Sequence, residues 1–161
     1  MRGGLPLIRP FAICYPTCLY LIRKIYFSLV QSASVVSQFC GMKYDPLREK
    51  SYSFALEIIR LAQYLISERR EFDMGRQLLR SGTGIGALIC EAEFGQSRAD
   101  FKSKMSIALK EANETAYWLC LLKDSFIINQ NQFEELHPKC KELIAMLAAT
   151  VKTLKMNNEL Q

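Results

Sequence analysis

Residues 77–92 read QLLRSGTGIGALICEA, with Gly82, Gly84 and Gly86 at alternate positions inside an otherwise helix-like run. Two readings compete: a loop whose backbone cradles phosphate, or a helix whose glycines admit a close neighbour. A Walker loop needs Gly, four residues, then Gly-Lys-Ser/Thr, and no Lys follows here. A dinucleotide fingerprint needs a preceding strand and the order G-x-G-x-x-G, whereas this stretch runs G-x-G-x-G behind Gln77-Leu78-Leu79-Arg80. Met74, Leu78, Ser81, Ile85, Leu88 and Ala92 meanwhile recur at gaps of four and three, passing through the glycines without losing phase. Three glycines cost a helix about 1 kcal/mol each relative to alanine, so a tertiary contact must offset ~3 kcal/mol. Gly82 and Gly86 lie four apart on one face, where a neighbouring helix can come close. The helix reading wins.

The same spacing extends outward. Asp45-Pro46 opens a first helix, Asp as cap and Pro at the first helical position. Its stripe is Leu47, Phe54, Ile58, Leu61 and Leu65, reaching about Arg69, and Glu68–Glu71 marks a solvated turn. After Gly95, Ser97-Arg98-Ala99-Asp100 forms a capping-box-like start with Asp in place of Glu. The third helix carries Phe101, Met105, Ala108, Ala112, Thr115, Leu119, Leu122 and Phe126. A second row, Ile107, Glu111, Glu114, Trp118 and Leu121, lies beside it. The fourth carries Phe133, Leu136, Cys140, Leu143, Leu147, Thr150 and Leu154, with Pro138 expected to bend the axis or begin a new segment. Nothing in residues 42–161 alternates like a strand. The fold predicted is all-α, an antiparallel up-and-down four-helix bundle over residues 43–158, with residues 1–42 as an extension outside it.

Composition narrows the function. Among 161 residues the net charge is +5, but Arg2, Arg9, Arg23 and Lys24 stand in the acid-free residues 1–41 and account for four of those charges. The remainder is near neutral, unlike a strongly basic nucleic-acid binder. The apolar run Phe11–Ile22 contains Pro16 and is too short to span a bilayer. The neighbourhood of Val36–Cys40 makes a poor cleavage site, so no membrane role is expected; Met42 is expected to be the true start, or the preceding segment a poorly ordered extension. Cys14, Cys18, Cys40, Cys90, Cys120 and Cys140 fit no small disulfide framework, and a reduced, cytoplasmic protein is expected.

Candidate chemistry is sparse. Glu134-Glu135-Leu136-His137 holds a Glu-x-x-His, the spacing of di-iron bundles, but such a site needs two copies and His137 is the sole histidine. A metal-dependent enzyme using Glu134 and His137 is the alternative reading; the main one has no catalytic residue, cofactor, metal or small-molecule substrate. Glu111 and Glu114 share a row without a nucleophile beside them; Lys110 is expected to bridge Glu114 at i,i+4, and Glu111 to meet a cation on another helix or subunit. Arg69, Arg70, Arg76 and Arg80 form the densest basic group and are the candidate RNA contacts. Tyr117 and Trp118 lie beyond the main seam of the third helix, which suggests that it buries more than one face.

The stretch LLRSGTGIGALICEAEFGQSRADFKSKMSIALKEANETAYWLCLL, residues 78–122, resembles the signature of the small bacterial four-helix-bundle proteins known as ribosomal RNA intervening-sequence proteins. The resemblance covers about residues 44–157. Its most specific parts are Arg80-Ser81-Gly82, Ile85-Gly86-Ala87, Glu91-Ala92, Ser97 with Asp100-Phe101, and Ser106–Trp118. The signature's polar residues are Ser81, Glu91, Ser97, Asp100, Lys110, Glu111 and Glu114. This chain departs at Gly84, where the family usually has Ser, and at Leu88, where Asn is usual. The resemblance implies a homopentameric ring without enzyme activity. It also extends to the accessory variability determinant proteins of diversity-generating retroelements, which bind nucleic acid and a reverse transcriptase. A self-assembling module with an RNA or nucleoprotein partner is the expectation it supports.

Overall fold

A computed structural model describes residues 45–159, all in four helices and their turns. The expected extension over residues 1–42 lies outside the described residues. Helix α1 spans Pro46–Ser67, α2 Phe72–Glu93, α3 Arg98–Asp124 and α4 Gln130–Glu159. Each packs on the next, and α1 closes against α4. Short turns between consecutive helices make neighbours antiparallel, the up-and-down arrangement.

Local chemistry sets the boundaries. Asp45 Oδ1 accepts the Leu47 backbone N–H at 3.0 Å, with Pro46 at the first helical position. Ser97 Oγ accepts the Asp100 N–H at 3.1 Å to start α3, while Asp100 Oδ2 reaches back to the Gln96 N–H at 3.3 Å. Asn129 and Gln132 exchange reciprocal bonds of the same kind before α4: Asn129 Oδ1 accepts from Gln132 N at 2.9 Å, and Gln132 Oε1 from Asn129 N at 3.0 Å.

One core runs through the bundle. It joins Phe54, Ile58 and Leu65 of α1, Leu78, Ile85 and Ile89 of α2, Leu119 and Leu122 of α3, and Cys140, Leu143 and Leu147 of α4. Inside it, the Thr115 and Ser81 hydroxyls meet at 3.0 Å, and Thr115 Oγ1 also donates to the Glu111 carbonyl at 2.8 Å. Buried polar groups are thereby satisfied. Arg48–Glu93 at 3.0 Å ties α1 to α2, and Lys139–Glu57 at 2.6 Å ties α4 to α1. Such partly solvated pairs contribute about 0–1 kcal/mol each.

The glycine stretch is helical throughout, so its backbone N–H groups are committed within α2 rather than turned to a ligand. A Cβ at Gly82 would stand 2.7 Å from Ile58 Cγ2, and one at Gly75 2.9 Å from Ile66 Cγ1. One at Gly86 would meet Ser51 Oγ at 3.4 Å. Three glycines thus line the face of α2 that meets α1, and Gly75 was not among those singled out from the pattern. Gly84 faces α3 instead, where a Cβ would meet Glu111 at an ordinary 3.6 Å.

Several details differ from expectation. Helix α1 ends at Ser67 rather than near Arg69. On α2 the buried set includes Gly75, Gly82 and Ile89, while Met74 and Leu88 are half-buried, because the stripe turns toward α1. Val151 is buried where Thr150 was expected. Pro138 begins no new segment: α4 continues through it as one element, with Pro138 solvent-exposed, where water can serve the carbonyl that loses its donor. Phe126 leaves the α3 stripe entirely. The helix stops at Asp124, Phe126 adopts φ 58°, and its side chain is 88% exposed.

Candidate functional site

Two surfaces stand out. The first is the outward flank of α3 where it borders α2. Ile107 and Tyr117 are exposed there, Trp118 is half-buried, and the Tyr117 and Trp118 rings meet edge to face at 5.5 Å. Glu114 Oε1 accepts from both Arg80 Nη2 and Trp118 Nε1, each at 3.2 Å. The expected Lys110–Glu114 bridge does not form, because Arg80 and the indole N–H reach that carboxylate from positions that also pack. Lys110 is exposed and makes no side-chain contact of its own among the described residues. Glu111 lies half-buried over Gly84 and likewise has no hydrogen-bond or ionic partner among the described residues. Of the remaining signature residues, Glu91 pairs with Lys104 at 2.5 Å, while Ser81, Ser97 and Asp100 serve the core and the α3 cap. The hydrogen bond and charge of Glu91 hold the Lys104 pKa above its ordinary value.

The second surface is the end of the bundle where the α1–α2 and α3–α4 turns lie together. Arg69 and Arg70 are exposed in the first turn, and neither makes a side-chain bond among the described residues. Arg76 and Arg80 follow one and two turns down α2, about 6 and 12 Å from its start at ~1.5 Å per residue. Both are exposed but already paired, Arg76 with Asp73 at 2.8 Å and Arg80 with Glu114 at 3.2 Å. The four candidate arginines therefore share one half of the bundle but fall into a paired and an unpaired couple. An open pocket of about 450 Å³ at this end is lined by Arg69, Lys123 and Phe126, by Tyr64 and the apolar Ile127 and Ile128, and by polar residues at and just before the start of α4. Sequence reasoning missed it, since Phe126 kept helical phase with the core stripe.

Glu134 and His137 do not form a site together. The Glu134 carboxylate accepts from Gln130 Nε2 at 2.7 Å, whereas His137 stacks on Phe133 with centroids 4.5 Å apart. Burial, with Lys141 and Lys123 nearby, lowers the His137 pKa below its usual value. Among the described residues no three His, Cys, Asp or Glu side chains gather as a ligand set, short of what a bundle di-metal site requires. Burial pushes the Cys140 thiol up to about 12, and its Sγ donates to the Ala112 carbonyl at 3.3 Å. Such a thiol is a core residue rather than a nucleophile. Among the described residues no helix is long and apolar enough to cross a membrane.

Comparison with known proteins agrees with this architecture. The chain is similar to a protein of unknown function from the S23 ribosomal protein family of Bacteroides thetaiotaomicron VPI-5482, whose crystal structure is known at 1.70 Å. The two are 48% identical, the match covers 66% of this chain and 98% of that one, and the TM-score is 0.65. No curated protein matches. Neither the solved structure nor the matching family bears the name of an enzyme. The model of the 23S rRNA-intervening sequence proteins matches residues 46–149, and the chain belongs to that family.

Proposed function

We propose that this protein is a non-catalytic bundle that assembles with copies of itself, as a pentameric ring in the cytoplasm, and serves as a binding platform for RNA. The observation that carries the assembly is the α3 flank. Ile107 and Tyr117 leave apolar surface in water beside the half-buried Trp118, and Glu111 sits among them with its charge unanswered. Packing a second copy there removes that apolar surface from water and can offer Glu111 a cation, which it lacks among the described residues. The family resemblance supports the pentameric count. The description of the family, which ties its members to intervening sequences of 23S rRNA, supports RNA as the partner. A ring would also sum the fields of five copies of Arg69, Arg70, Arg76 and Arg80.

Light scattering on the full chain tests the assembly. The expected mass is a multiple of the 18.5 kDa chain, and Ile107→Glu with Tyr117→Glu should shift it to a smaller species that remains helical. A monomeric wild type refutes the reading. For the partner, filter binding to single-stranded RNA should weaken steeply with salt, by a log–log slope of about 0.7 per phosphate contacted. Arg76→Ala with Arg80→Ala should lower affinity; salt-insensitive or absent binding removes RNA as the ligand.

A further inference from the structure

Two non-glycine residues among those described have left-handed backbones, Arg70 (φ 60°) and Phe126 (φ 58°), and they occupy the two turns at one end of the bundle. Each stands just past a helix. After α1, the Glu71 N–H returns to the Leu65 carbonyl at 2.9 Å; after α3, the Ile127 N–H returns to the Leu122 carbonyl at 3.0 Å. These return bonds reach back six and five residues, and the residue just before each donor takes the conformation that glycine adopts freely and other residues adopt at a cost. Phe126 bears the cost without burying its ring. It is the most exposed large hydrophobic side chain among the described residues.

The surroundings of that ring fit a nucleotide. The pocket it lines has a volume of about 450 Å³ and holds the cations Arg69 and Lys123, with no carboxylate in its lining. Lys123 Nζ lies 3.8 Å from Asp124 Oδ1 and 5.0 Å from the Phe133 ring centroid. Asn129 and Gln132 line the pocket too, and each has its amide oxygen committed to a backbone N–H of the α4 cap. Their NH2 groups make no bond among the described residues and remain available as donors. An exposed aromatic face, two cations and spare amide donors around one opening are the elements with which proteins hold unpaired bases.

We propose that this end of the bundle binds unpaired nucleotides of single-stranded RNA, one base stacking on Phe126 while Arg69 and Lys123 contact adjacent phosphates and the Asn129 and Gln132 amides donate to the base edge. This inference rests on the RNA reading above and adds to it a strand preference and a place.

The test uses the full chain and fluorescence anisotropy with a labelled, mixed-sequence single-stranded RNA of about 15 nucleotides, and a blunt duplex of the same length. Phe126→Gly should weaken single-strand binding about 5- to 150-fold, the range for loss of one stacked base, and leave duplex binding unchanged. Its denaturation midpoint should stay level or rise, because glycine suits φ 58°. Phe126→Trp should retain wild-type affinity. Stacking is not ionic, so Phe126→Gly should keep the salt slope, while Arg69→Ala and Lys123→Ala should each reduce it by about 0.7. A Phe126→Gly protein with wild-type affinity, or one equally weakened on both probes, overturns this site and leaves RNA binding standing. A wild type that binds neither probe overturns both.

Discussion

Gly82→Ala and Gly84→Ala make the same chemical change two residues apart in α2 and should move stability in opposite directions. In a helix each substitution gains up to about 1 kcal/mol of intrinsic propensity. At Gly84 the new methyl meets only Glu111, at 3.6 Å or beyond, so most of the gain survives, roughly 0.5–1 kcal/mol. At Gly82 it would lie 2.7 Å from Ile58 Cγ2, 2.9 Å from Cγ1 and 3.2 Å from Cβ. Ile58 is fully buried and β-branched, and its own Cβ is among the crowded atoms, so no flexible chain end can swing aside. Overpacking of this kind costs about 1–3 kcal/mol; set against the propensity gain of about 1 kcal/mol, it leaves a net loss of up to about 2 kcal/mol. Urea denaturation followed by circular dichroism, at one fixed protein concentration because assembly couples to stability, gives the sign directly. The clash also predicts coupling. Ile58→Ala alone should cost about 2–5 kcal/mol, yet combined with Gly82→Ala it should cost about 1–2 kcal/mol less than the sum, because the added methyl fills part of the cavity. A Gly82→Ala protein stabilised as much as Gly84→Ala would refute the close approach of α1 and α2 at this point.

Three further outcomes are expected. Cys140, with its thiol pushed up to about 12, should resist iodoacetamide at pH 8 in the native protein while half-buried Cys90 and Cys120 react, as peptide mapping would reveal; labelling of Cys140 at their rate contradicts the buried hydrogen-bonded thiol. His137 is the sole histidine, so an NMR titration reads it without ambiguity, and its midpoint should fall below the ordinary 6.5 of a histidine. Because the folded form then holds its proton less tightly than the unfolded form, this contribution to stability is present above pH 6.5 and is lost as pH falls through the lowered value. A midpoint at or above 6.5 would contradict the burial of the ring. Pro138→Ala restores a donor inside α4 and should raise stability by about 1–3 kcal/mol; an unchanged denaturation midpoint would mean that solvent already satisfies the carbonyl fully.

Much of the fold was legible because helix formation is a local matter. The four-and-three spacing from Leu47 to Leu65 and from Phe101 to Leu122 marks the buried faces, and Asp45-Pro46 and Ser97 mark starts whose capping bonds span two or three residues. Side-chain pairing was less legible. Lys110 and Glu114 have ideal intrahelical spacing, but that spacing is worth only tenths of a kcal/mol, and Arg80 with the Trp118 indole competes successfully from packed positions. The candidate arginines were found as a group, but not their division into Arg76 and Arg80, which have carboxylates, and Arg69 and Arg70, which have none among the described residues. Phe126 was misplaced because periodicity carries no information on where a helix stops when the residue past its end is not glycine.

The sequence by itself determined that residues 43–158 hold four helices, roughly where they begin, and which arc of each is apolar, since these follow from bonds and contacts within one or two turns. It also excluded the phosphate loop, because a backbone already bonded inside a helix has no N–H groups to spare. Only the tertiary structure decided which helix each glycine faces, that Glu111 goes unpaired among the described residues, and that Phe126 opens beside Arg69 and Lys123 at one end. Those facts depend on the rotation and approach of helices far apart in sequence. Many small packing terms set them jointly, and no short stretch of chain contains them.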